Sequence, residues 1–88
     1  MRAGTKEWRG FSTLKKDVEK ALEPPFPGVI EVTQGHGGYA NVLVVSTALN
    51  KLPEQQKQAA VWRVLHDQLG EKAQRVSCVI AYGTDELR

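Results

Sequence analysis

The stretch VSTALNKLPEQQKQAAVWRVL, residues 45–65, decides how this chain folds. It reads as the end of a strand, a short turn and then a long helix opened by a proline. Pro53 suits the first helical position, where a missing N–H costs nothing. Glu54 follows in the first turn, where the helix dipole favours negative charge. Val61, Leu65 and Leu69 recur every four residues with Val64 beside them, which sets them on one helical face. Trp62 falls on the rim of that face and reads as core packing, given the area a Trp buries. Gly70 stands where a helix-ending glycine belongs.

Outward from the helix, the chain supplies a sheet for that face to cover. Val42-Leu43-Val44-Val45 is an unbroken apolar run and reads as the heart of a central strand spanning 39–45, both faces at least partly covered. Residues 29–33 form a second strand, and Gly35-His36-Gly37-Gly38 is the flexible loop between the two. So short a connection makes them an antiparallel hairpin. Before it, Leu14, Val18, Ala21 and Leu22 make an amphipathic helix, capped by Ser12 or Thr13 and stopped by Pro24-Pro25. After the long helix, 71–75 is a polar connection and 76–82 is a third strand rich in β-formers. Thr84-Asp85-Glu86-Leu87 resembles a capped first helical turn. The order is α-β-β-(turn)-α-β, an α+β domain with a three-stranded mixed sheet covered by helices. Residues 1–11 read as a flexible tail carrying Trp8 and Phe11, and 12–88 as the domain.

Composition excludes more than it selects. Eighty-eight residues make one small domain with a modest core. A net charge of +2 gives no concentrated basic face. A single cysteine, Cys78, rules out an internal disulfide and fits a reducing, intracellular setting. No apolar run is long enough to span a bilayer, so a soluble protein is expected. Arg2, Lys6 and Arg9 give the tail a faint presequence character, which leaves cytoplasm or mitochondrial matrix as the expected compartment.

His36 and Cys78 carry the available ligand chemistry. Glycines around His36 leave its imidazole accessible, which suits a metal ligand, although a lone loop histidine is ordinarily just solvated. A strand cysteine is ordinarily a small buried hydrophobe, whereas a reactive thiol needs an exposed, electropositive setting. Lys72 and Arg75 lie near it in sequence. His66 reads as a surface residue. Nucleophile–base arrangements, a phosphate loop and a dinucleotide fingerprint are missing from the sequence, so no enzyme is expected. Residues 35–38 also fit the GxxG pattern of KH domains. There the loop joins two helices, and here it joins two strands.

From His36 to Leu65 the chain resembles the BolA family. Val42, Leu43, Val44 and Val45 match that family's Val-rich strand, and Ser46-Thr47 its end. Gln56-Lys57-Gln58 falls on Gln-Arg-His, Val61-Trp62 on Val-Tyr, and Leu65 on the Leu that follows. Leu49 stands in place of a turn aromatic, and Lys51 and Leu52 in the places of a Gly and a Lys. Thr84 and Glu86 resemble the family's ending. The resemblance implies a type II KH-like fold and a protein that is a monomer alone. It implies pairing with a monothiol glutaredoxin around a shared two-iron, two-sulfur (2Fe-2S) cluster, none being held by the isolated chain. It places His36 at a ligand position. The usual His at the start of the last strand is missing near Val76-Ser77, and Cys78 is its closest substitute, expected on the same strand face as Val76.

Two competitors remain from the residues themselves. One is a nucleic-acid-binding module contacting phosphates through Lys51, Lys57 and Arg63, whose ordinary reading is a solvated helix face. The other is a structural subunit of a larger complex, with Trp8, Phe11 and Trp62 at the interface.

Overall fold

The computed structural model describes residues 10–86. Its regular elements are α1 (Phe11–Leu22), β1 (Gly28–Gln34), β2 (Ala40–Ser46), α2 (Glu54–Leu69) and β3 (Val76–Gly83), joined by 3-10 turns. Among the described residues, no helix is long and apolar enough to cross a membrane.

Helix α1 buries Phe11, Leu14, Val18 and Leu22 in one stripe. It starts earlier than the expected caps at Ser12 or Thr13. Gly10, at φ +86°, precedes it with no side-chain cap, and the Leu14 N–H donates to the Gly10 carbonyl at 3.0 Å. Magnitudes explain the shift. Burying a Phe side chain is worth about 1.5–3 kcal/mol, against about 1 kcal/mol for a side-chain cap. Phe11 therefore belongs to the core rather than to the expected tail. Trp8 and the rest of that tail lie outside the described residues.

Helix α2 follows the expected span, with Pro53 one residue ahead of its first turn. The Pro53 carbonyl accepts the N–H groups of Gln56 at 2.9 Å and Lys57 at 3.0 Å. Val61 and Leu65 are fully buried, with Val64, Leu69 and Trp62 partly buried against the same core. The Trp62 ring stacks on His66 at a centroid distance of 5.7 Å, as a residue on the rim of the apolar face would. Gly70 ends the helix at φ +58°.

The three strands lie in the order β1-β2-β3. Strand β2 pairs antiparallel with β1 and parallel with β3. Paired residues share a face, so the register sorts the sheet into rows. Ile30–Val44–Ala81 and Val32–Val42–Val79 face the helices. Val29–Val45–Tyr82, Glu31–Leu43–Ile80 and Thr33–Asn41–Cys78 form the other face. Among the described residues, helices cover the first face only. On the second, Val29, Ile80 and Tyr82 are 49 %, 45 % and 41 % exposed, while Val45 is shielded between its row neighbours.

A register shift interrupts the β2–β3 ladder beside Ala40. Ala40 pairs with Val76 but Asn41 with Cys78, leaving Ser77 as an extra residue. That is a β-bulge, and it inverts the alternation of the strand. Val76 and Val79 are both buried, three positions apart. At the outer side of β3, the Gln58 amide of α2 donates to the Val79 carbonyl at 2.7 Å.

The turn between β2 and α2 is tight. Ser46 is buried and its hydroxyl accepts the Ala48 N–H at 3.1 Å. Leu49 drops into the core, and Lys51 then takes a left-handed backbone at φ +66°. At the start of β1, Gly28 has φ +141°, and a Cβ there would lie 2.2 Å from the Val45 carbonyl oxygen.

These two backbone positions predict opposite outcomes. Gly28→Ala drives a methyl into the neighbouring strand and is expected to cost roughly 2–4 kcal/mol. Lys51→Gly relieves left-handed strain of about 1–2 kcal/mol and loses part of it to the freer unfolded chain. A net gain of roughly 0.5 kcal/mol is expected. Urea denaturation of both variants beside the wild type measures the two values.

Candidate functional site

The loop 35–39 is a compact turn rather than the flexible linker its glycines suggested. His36–Gly38 forms a 3-10 turn in which Gly37 and Gly38 take φ of +70° and +84°. The Gly35 N–H donates to the Tyr39 carbonyl at 2.7 Å, and the Tyr39 N–H to the His36 carbonyl at 3.3 Å. From outside the hairpin, the Arg75 guanidinium donates to the Gly38 carbonyl at 3.0 Å. His36 itself is exposed.

Cys78 is an exposed free thiol at the same end of the sheet. It shares its row with Thr33 and Asn41, close below the loop. Its face corrects the expectation from sequence. The bulge at Ser77 puts Cys78 on the bare face, opposite to Val76. The Ser77 hydroxyl secures the bulge, with the Asn41 amide oxygen at 3.1 Å and the Ala40 carbonyl at 3.4 Å. Glu31, Thr33, Asn41, Leu43, Cys78 and Ile80 line a shallow, mainly apolar depression of about 340 Å³ there. An imidazole and a thiol thus sit at one open end, both within reach of solvent. Nitrogen and sulfur donors of this kind suit iron–sulfur chemistry. Among the described residues no group of three or more His, Cys, Asp or Glu gathers as a metal site.

Lys51, Lys57 and Arg63 are not brought together as a basic surface. Lys57 is the main correction, for it is 6 % exposed and stands in line with Val61 and Leu65 on the buried side of α2. Its ammonium is taken by the Glu86 carboxylate. A phosphate would have to displace that partner. Lys51 is exposed, and its N–H is held by the Asp85 carboxylate at 2.9 Å. Arg63 is exposed and borders a separate groove with Leu52, Gln56, Ala59 and Ala60.

Sequence reasoning passed over the C-terminal turn as a locking element. Asn50 Oδ1 accepts from the Thr84 hydroxyl at 3.1 Å and the Asp85 N–H at 3.2 Å. Glu86 accepts the Gly83 N–H at 2.8 Å as well as Lys57. Asn, Ser and Asp in turns were the available signal, but their partners are far off in the chain. Arg75 was noted only as a charge near Cys78, and it is the residue that reaches the loop. Lys72 turns away, pairing with Asp17 of α1 at 3.0 Å.

No family model matches the sequence, and no curated protein matches it either. Solved structures do. BolA1 from Arabidopsis thaliana superposes with a TM-score of 0.67 at 13 % identity, covering 85 % of this chain and 96 % of its own. The BolA domain of SufE1 from the same plant gives 0.66 at 21 % identity, covering 83 % and 94 %. A bol-like protein from Babesia bovis gives 0.56 at 18 % identity, covering 78 % and 80 %. The chain has a BolA-like fold.

The Lys57–Glu86 contact makes stability pH-dependent. Donation from the Lys57 ammonium, and then from the Gly83 N–H, holds the Glu86 carboxyl below its ordinary value of 4.5. A depressed carboxylate contributes stability that is present above its unfolded value and lost as pH falls through its folded one. Glu86→Gln is expected to be less stable than wild type at pH 7 and to lose less on acidification. Denaturant midpoints measured from pH 7 down to pH 3 compare the two slopes.

Proposed function

We propose that this chain is a divergent BolA protein, acting as a non-enzymatic adaptor in iron–sulfur cluster handling with a monothiol glutaredoxin as partner. The observation that carries the reading is that exposed His36 and exposed Cys78 lie at the same, loop end of a BolA-like sheet. The fold alone would not select it, since one fold hosts many functions.

The donor set fits a shared cargo. A cluster held between two proteins needs only part of its ligands from each, and this end offers one imidazole and one thiolate. Cys78 takes the role that a last-strand histidine would otherwise fill. The cluster, when bound, would supply the redox-active, transferable group. This chain's own task is to present two donors on a rigid sheet end and to exclude bulk water with the neighbouring apolar rows. Leu43 and Ile80 line the depression beside Cys78 on the bare face. A single exposed thiol fits a reducing compartment, where it stays available as a ligand.

Mixing the protein with cluster-loaded monothiol glutaredoxin is expected to give a heteromeric peak on gel filtration and an altered visible circular dichroism spectrum. His36→Ala and Cys78→Ser are each expected to return the spectrum toward that of glutaredoxin alone. An unchanged spectrum with no complex would defeat the reading. A complex without spectral change would keep the partner and remove the ligands.

A further inference from the structure

We infer that Arg75 is a positioning residue, whose guanidinium straps the Gly37–Gly38 turn to the start of β3 and so holds the His36 loop in one conformation at the sheet end it shares with Cys78. This rests on the adaptor reading for its purpose, but the strap itself is independent of it.

The loop needs an external tie. Two consecutive left-handed glycines let the chain turn without steric penalty, and they also leave it many alternatives in the absence of restraint. The two bonds inside the turn, Gly35 to Tyr39 and Tyr39 to His36, are local to the hairpin. Arg75 supplies a bond from a different part of the chain, 37 positions from its acceptor in sequence. It fits the loop in shape as well. A Cβ on Gly38 would lie 2.6 Å from Arg75 Nη1, so the guanidinium fills the space beside the glycine.

The anchor at the other end is firm. Arg75 closes the 3-10 turn Gly70–Arg75, whose Ala73 is buried. Val76 follows in the core, Ser77 forms the bulge fixed to Asn41, and Cys78 comes next. One short segment therefore holds the loop, sets the strand register and carries the thiol. Arginine suits the task because its planar fork offers several N–H donors at fixed angles. One of them engages Gly38.

Amide exchange followed by NMR tests the strap on the protein alone. Arg75→Gln is expected to speed exchange of the Gly35 and Tyr39 amides about tenfold, the size of a lost charge-assisted hydrogen bond. Amides in the middle of β2 should keep their rates, which separates a local effect from global loss of stability. Arg75→Lys keeps the charge without the fork and should fall between the two, and it carries the test should the Gln variant fail to fold. Unchanged Gly35 and Tyr39 rates would overturn the inference. With cluster-loaded glutaredoxin, Arg75→Gln should still form the complex but alter its visible circular dichroism. A wild-type complex whose spectrum is indifferent to Arg75→Gln would remove the positioning role and leave the adaptor reading standing. Failure of the wild type to form any complex would remove the adaptor reading, while the exchange rates would still decide the strap.

Discussion

The parallel pairing of β2 with β3 is the constraint from which the architecture follows. Parallel neighbours cannot be joined by a tight turn, so the chain must leave the end of β2, travel back and re-enter beside it. Helix α2 is that return path, and it has to lie against one face of the sheet. The hairpin partner β1 widens the sheet, and α1 fills the rest of the same face through Phe11, Leu14, Val18 and Leu22. Among the described residues, no element packs on the opposite face. One face is closed and one is bare, and the candidate donors lie at one end of this arrangement.

How much of this was legible depended on how local each signal is. The long helix, its proline start and its Gly70 stop are written in contiguous residues, as is the run Val42-Leu43-Val44-Val45 of the central strand. The bulge is not. The segment 76–82 reads as one strand rich in β-formers, and only the ladder with β2 shows that Ser77 is surplus. That single misfit moved Cys78 to the other face from Val76. Lys57 was misread for a related reason. A lysine in a helix is ordinarily a surface residue, and the carboxylate that accepts it lies 29 positions away. Phe11 was assigned to a tail because residues 1–11 show no regular period and Ser12 or Thr13 reads as a cap, although its spacing to Leu14 is helical. His36 was singled out by its glycine-rich loop and given a ligand position by the family resemblance, and its place at the same sheet end as Cys78 is a product of register.

The turn before α2 and the end of β3 are bound to one another by a small polar network. Asn50 and the Lys51 N–H engage residues 84 and 85, and Lys57 engages Glu86. Burying an ammonium is unfavourable by several kcal/mol unless a charge and hydrogen bonds compensate, and Glu86 provides both. The arrangement ties the last described turn to the first turn of α2. It also explains why Lys51 tolerates a left-handed backbone, since the conformation aims its N–H at Asp85. Of the basic residues read from sequence as a phosphate surface, Lys57 is thus engaged through its side chain, and Lys51 through its backbone, in holding the chain together.

Gln58 has a wider effect than its one hydrogen bond suggests. By occupying the Val79 carbonyl, it places a side chain across the rim where another polypeptide would add itself as a fourth strand. An incoming chain would need to evict an internal partner before gaining a bond of its own. Exposed strand rims are templates for fibrous assembly, and natural proteins obstruct them. In this molecule the obstruction is supplied by the helix that the fold already needs, so protection against ordered aggregation on that side comes without any extra segment.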